Sequence, residues 1–124
     1  MSKLFSIVES PLHPLLGLLY QRLGIQEIRL TSVRKAIQEL KKNTPDIVVA
    51  DFIYGYGNNY AGVNVSNLDV FLYSLEKYSR DYKLIVLVEK EELQYVSKLA
   101  DLFTIHQALP YPVAESDMEA LLNK

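Results

Sequence analysis

The run Pro45–Tyr54 (PDIVVADFIY) constrains the fold more than any other stretch of the chain. It opens on a turn at Pro45 and continues through the β-branched Ile47, Val48 and Val49. It delivers one carboxylate, Asp51, at its end. A short, continuous apolar run bounded by turn residues reads as a strand covered on both faces, as in the middle of a parallel sheet. An ionised aspartate is costly inside such a core. At the carboxyl end of the strand it meets water or a ligand, where open α/β sheets place their sites.

Around this strand the pattern alternates. Lys3–Glu9 (KLFSIVE) reads as the first strand, with Glu9 and Ser10 at its carboxyl end. Leu12, Leu15, Leu16, Leu19 and Leu23 recur at three and four residues and predict a helix with a wide apolar face, its first turn holding Pro14 and its end marked by Gly24. Residues 25–30 form a more polar second strand, suited to an edge. Thr31 or Ser32 caps the next helix, which points Val33, Ala36, Ile37 and Leu40 inward. Its Arg34, Lys35, Lys41 and Lys42 form a solvated outer face. Residues 54–66 (YGYGNNYAGVNVS) form a long loop, and Ser66 with Asp69 resembles a capping box before a third helix. Residues 83–88 (KLIVLV) give a fourth strand, 89–100 a fourth helix, 103–108 a fifth strand and 114–122 a last short helix.

Five β-α units joined by right-handed crossovers predict one domain over residues 1–124. Its expected form is α/β: a single doubly wound, five-stranded parallel sheet of order 2-1-3-4-5 with helices on both faces. Glu9, Ser10 and Asp51 then converge at the switch point between strands one and three. The chain has no cysteine, which removes disulfides, thiolate metal sites and cysteine nucleophiles. Its net charge of -2 gives no reason to expect a nucleic acid partner. No apolar run is long enough for a signal peptide or a membrane span, so a cytoplasmic location is expected.

Pro45-Asp46-Ile47-Val48-Val49-Ala50-Asp51 resembles the third strand and phosphoacceptor aspartate of the receiver domains of two-component response regulators. The resemblance covers essentially the whole chain and implies their flavodoxin-like fold. It makes Asp51 the phosphoacceptor equivalent and places Glu9 and Ser10 where the family carries an acidic pair for Mg2+. Val88 falls at the family's threonine or serine, and Leu109, just before Pro110, at its lysine. Three of these positions depart from the pattern. Ser10 supplies no carboxylate, Val88 no hydroxyl and Leu109 no ammonium group to pair with a phosphoryl oxygen. The resemblance therefore implies an atypical, non-enzymatic pseudo-receiver, with no cofactor unless Glu9 and Asp51 hold Mg2+. It would act through a protein partner or as a homodimer rather than by ordinary aspartyl phosphorylation. Two alternatives stay open: a phosphoacceptor that uses Asp51 with Mg2+, and a small ligand-binding or enzyme domain of flavodoxin-like fold.

Other residues bear on these readings. Glu89, at the end of strand four, is a candidate third acid or an exposed acid at a helix start. His13, near the start of the first helix and close to the presumed site, is a candidate donor to an anion, although a lone histidine is usually just a partly buried polar residue. His106 reads as structural, in the fifth strand. Tyr54, Tyr56 and Tyr60 in the long loop are candidates for a lid or an interface. The resemblance implies a contact surface on the fourth helix, the fifth strand and the fifth helix, where Tyr95, Tyr111, Val113 and Met118 are candidates either for exposed apolar area or, as readily, for completing the core. The glycines Gly55, Gly57 and Gly62 have neither the spacing nor the helix register of a phosphate-binding loop.

Overall fold

A computed structural model describes residues 2–55 and 64–123. The central run forms β3 (Ile47–Asp51), buried along its whole length. β1 (Lys3–Ile7) lies against one edge of it and β4 (Lys83–Val88) against the other. β2 (Gln26–Leu30) and β5 (Gln107–Pro110) complete a five-stranded sheet of order β2-β1-β3-β4-β5. Every pairing is parallel, with Ile7 opposite Ala50 and Asp51 opposite Leu87.

Side chains alternate across the pleat, so each strand feeds two cores. On one face Phe5, Ile7, Val48, Ala50, Leu84 and Val86 pack under helices α2 (Val33–Glu39), α3 (Asp69–Leu75) and α4 (Val96–Ala100). On the other, Leu4, Val49, Ile85 and Leu87 pack against Leu19 and Tyr20 of α1 (Gly17–Arg22) and Met118 of α5 (Glu115–Leu122). Helix ends follow local chemistry. The Ser32 hydroxyl accepts from the Lys35 amide at 3.1 Å, and Gly24 takes the left-handed conformation (φ 72°) that closes α1. Asp69 accepts from the Val65 and Ser66 amides, both at 2.8 Å, and fixes the turn before α3.

Three elements differ from the sequence expectation. The helix expected from Leu12 begins only at Gly17. Pro14 disfavours a helical residue before it, and residues 10–13 instead form a turn closed by the Ser10 carbonyl and hydroxyl. Leu16 and Leu19 are buried, but Leu12, Leu15 and Leu18 are 51%, 82% and 83% exposed. The fourth helix divides into a 3-10 segment, Lys90–Tyr95, and the short α4, so Leu93 is exposed while Val96 and Leu99 are buried. The fifth strand starts at Gln107 rather than 103. The Phe103 ring leaves the sheet for the core behind α4 and meets Tyr73 edge-on at 4.8 Å.

Candidate functional site

β3 carries Asp51 to the carboxyl edge of the sheet, where the loops after β1 and β5 close over it. The side chain is fully buried, and its two oxygens take four donors. Oδ2 accepts from the backbone amides of Glu9 at 2.8 Å and Ser10 at 2.9 Å. Oδ1 accepts from His13 Nδ1 at 3.1 Å and from the Tyr111 hydroxyl. A carboxylate offers about four lone-pair directions, and here each one meets an N–H or O–H. Burial by itself works to raise the Asp51 pKa, but the bonds from His13, Tyr111 and the Glu9 amide outweigh it and hold the group below the ordinary carboxylate range.

Asn67 locks the adjacent backbone. Its Nδ2 donates to the Asp51 carbonyl at 2.8 Å and to Glu9 Oε1 at 2.6 Å, and its Oδ1 accepts from the Ile53 amide at 2.8 Å. Glu9 is thereby turned toward Asn67, and only its backbone amide reaches the Asp51 side chain. Ser10 likewise meets Asp51 through its amide, its hydroxyl being held by the Leu12 N–H. Val88 is buried and Glu89 is exposed. Among the described residues no group of three or more His, Asp or Glu side chains is placed to hold a metal ion. The Asp51 oxygens do not fit a magnesium site as they stand, because a hard cation needs lone pairs free of protein donors.

The residue that reaches Asp51 from the end of β5 is Tyr111, not Leu109. Leu109 pairs with Leu87 in the sheet and packs into the core under α1 and α5. Tyr111 lies two residues on, just before a cis bond to Pro112, and it is buried. That corrects the expectation that Tyr111 and Met118 expose apolar area for a partner, since Met118 is fully buried as well. Burial, then the hydrogen bond to Asp51 and its charge, push the Tyr111 pKa far above the ordinary tyrosine value. Burial also raises Tyr20 and Tyr82. In a spectrophotometric titration these three of the nine tyrosines are expected to stay protonated at about pH 11, where exposed phenols have ionised. Tyr111→Phe is expected to leave the absorbance change up to that pH unaltered.

Of the loop tyrosines, Tyr56 and Tyr60 lie outside the described residues. Tyr54 stacks on Tyr95 with ring centroids 3.9 Å apart and planes within 9°. Lys98 Nζ sits 5.3 and 5.7 Å from the two centroids and donates to the Tyr54 hydroxyl at 3.2 Å. Tyr54 therefore braces the start of the loop against α4 rather than covering Asp51. His106 is exposed and precedes β5.

Between these groups lies a cavity of about 230 Å3 lined by Glu9, Ser10, Pro11, Phe52, Ile53, Glu89, Glu92 and Tyr111. Sequence reasoning weighed His13 but missed Asn67 and the inward role of Tyr111. The signal for His13 was its place near the expected start of the first helix, close to the carboxyl ends of the strands. Asn67 offered none beyond lying next to the Ser66–Asp69 turn.

No protein-family model matches the chain, and no curated protein matches it in sequence. Solved structures do match in shape. An uncharacterised protein from Neptuniibacter caesariensis superposes with TM-score 0.76 at 21% identity, over 98% of this chain and 84% of that one. A response regulator receiver domain protein from Clostridium thermocellum gives 0.66 at 17% identity, over 99% and 92%. The receiver domain of a Francisella response regulator gives 0.69 at 14% identity, over 99% and 94%. With its parallel order β2-β1-β3-β4-β5, helices on both faces and an aspartate at the end of β3, the chain has the flavodoxin-like fold of response regulator receiver domains.

Proposed function

We propose that this protein is a pseudo-receiver, a signalling module that works by protein–protein recognition and does not pass through an aspartyl phosphate. The observation that carries the reading is the hydrogen-bonded closure of Asp51. An attacking carboxylate oxygen must present a lone pair to phosphorus, and both Asp51 oxygens are saturated by donors. Phosphoryl transfer also needs positive charge on the equatorial oxygens. Among the described residues no lysine or arginine lines the cavity beside Asp51; the charged lining residues there are Glu9, Glu89 and Glu92. An incoming phosphoryl group would meet like charge.

The test is intact mass after incubation with acetyl phosphate and Mg2+. The expected result is no gain in mass from a protein that circular dichroism shows to be folded. A gain of one phosphoryl group that hydroxylamine removes, as it removes acyl phosphates, would overturn the proposal and make Asp51 a working acceptor.

A further inference from the structure

The first helix begins late, and on a poor residue. Gly17 opens α1, although glycine is among the weakest helix formers. Leu16 is its N-cap, no side chain caps the amides there, and the first turn holds no acid. Three residues earlier the sequence offers a better start. Proline suits the first helical position, because its ring presets φ and it has no amide to leave unpaired. It also pushes the residue before it into extended backbone, which is what an N-cap adopts. His13-Pro14 is such a pair, yet residues 14–16 are not helical.

His13 is engaged elsewhere. Its ring is buried, and Nδ1 donates to Asp51 Oδ1 at 3.1 Å. The turn before it is fastened to the same carboxylate, since the Ser10 amide donates to Asp51 Oδ2 at 2.9 Å. The Ser10 carbonyl in turn accepts from the His13 amide at 3.2 Å. Only residues 14–16 then join His13 to Gly17. Three residues span roughly 10 Å when extended and about 4.5 Å when helical. Coiling them draws His13 toward α1 and out of reach of Asp51. The hydrogen bond and the missing helical turn therefore compete. Leu15 registers the difference. It is 82% exposed, but in a helix that starts at Pro14 it lies four residues before the buried Leu19 and on its side.

We propose that the His13–Asp51 hydrogen bond is a latch that withholds the first turn of α1, and that its release lengthens the helix back to Pro14 and brings Leu15 beside Leu19. The latch deepens the pseudo-receiver reading and rests on its closed site: Asp51 acts on the shape of the chain through a hydrogen bond it keeps or yields, not through a phosphoryl group. The test is the Cα chemical shifts of residues 15 and 16 in the 13C,15N-labelled full chain. Wild type is expected to give coil values. His13→Ala is expected to move both to helical values, and adding Pro14→Gly to it to return them to coil. Gly17→Ala leaves the site intact, and its new Cβ would meet Glu27 Oε1 at 3.6 Å, an ordinary contact. It is expected to move the same shifts part of the way, because glycine weakens a helix most in its interior. Coil shifts in a folded His13→Ala would overturn the proposal. If that variant does not fold, unchanged shifts in Gly17→Ala would overturn it, as would helical shifts in the wild type. Phosphoryl acceptance is read by mass and the latch by these shifts, so either proposal can fail without the other.

Discussion

Asp51→Asn is expected to destabilise the fold by about 2 kcal/mol, and Asp51→Ala by about 4. The sign is the informative part. Where acids crowd together without a cation, neutralising one relieves repulsion and stabilises the protein. Here Asp51 faces donors only: the amides of Glu9 and Ser10, His13 Nδ1 and the Tyr111 hydroxyl. In the asparagine variant the carbonyl oxygen still serves the two backbone amides. The new NH2 faces His13 and Tyr111, which can turn to accept it. Charge assistance is lost from every bond, at about 1 kcal/mol for each of the two amides that stay paired. In the alanine variant the buried donors lose their acceptor outright, which approaches the roughly 3–5 kcal/mol of a broken buried ion pair. A loss of 2 kcal/mol in a domain of this size lowers the midpoint of thermal unfolding by roughly 8 °C.

The same carboxylate sets an acid limb on stability. Its folded pKa lies below the ordinary value, with burial opposing and the His13, Tyr111 and Glu9 donors prevailing. A depressed carboxylate stabilises the fold fully above the unfolded pKa of about 4, and that contribution is lost as pH falls through the folded pKa. Urea midpoints taken from neutral to acid pH should therefore fall more steeply for the wild type than for Asp51→Asn. Equal stability of the two proteins at neutral pH, or a more stable variant, would mean that the four donors do not satisfy this carboxylate in solution.

Most of the scaffold is legible in the sequence because buried parallel strands are written as continuous apolar runs. LFSI, IVVAD and LIVLV are short apolar runs between turn signals and read as buried strands, and right-handed crossovers between them narrow the sheet order to the few doubly wound ones. Asp51 is legible for the same reason: it is the charge that ends the central run, as Glu9 and Glu89 follow the runs on either side. The closure of the site is not, because it depends on long-range contacts. His13 and Asp51 are 38 positions apart and Tyr111 and Asp51 are 60, and no local periodicity encodes either pair. The leucines after Pro11 mislead in a different way. Their spacing fits a helix, but the prolines withhold the first turn and His13 is drawn into the site, which leaves Leu12, Leu15 and Leu18 in solvent. Leu109 before Pro110 mimics a familiar dipeptide. Leu109 is needed in the core beside Leu87, and Tyr111, just past the end of the strand, is the next side chain in that same core.

Tyr111→Ala is expected to cost about 4 kcal/mol and Tyr111→Phe about 1.5, and the gap between them separates the ring from the hydroxyl. The ring packs with Leu87, Leu109 and Met118 in the core under α1 and α5, and truncating a buried aromatic costs roughly 3–5 kcal/mol. The phenylalanine variant keeps that packing and removes one charge-assisted donor from Asp51, worth about 1.5–3 kcal/mol less whatever the relaxed site recovers. The two variants are also expected to respond differently to acid. With the hydroxyl gone, Asp51 retains His13 and the two amides but is held less far below its unfolded pKa. The contribution that acid removes is then smaller, so the deficit of Tyr111→Phe against the wild type should narrow as pH falls through the Asp51 transition. The deficit of Tyr111→Ala arises mostly from lost packing and should persist there. Urea unfolding of the three proteins at neutral and acid pH decides the matter. A Phe deficit that stays constant with pH would show that the tyrosine hydroxyl does not bear on the Asp51 charge, and would remove one of the four donors on which the closed-site reading depends.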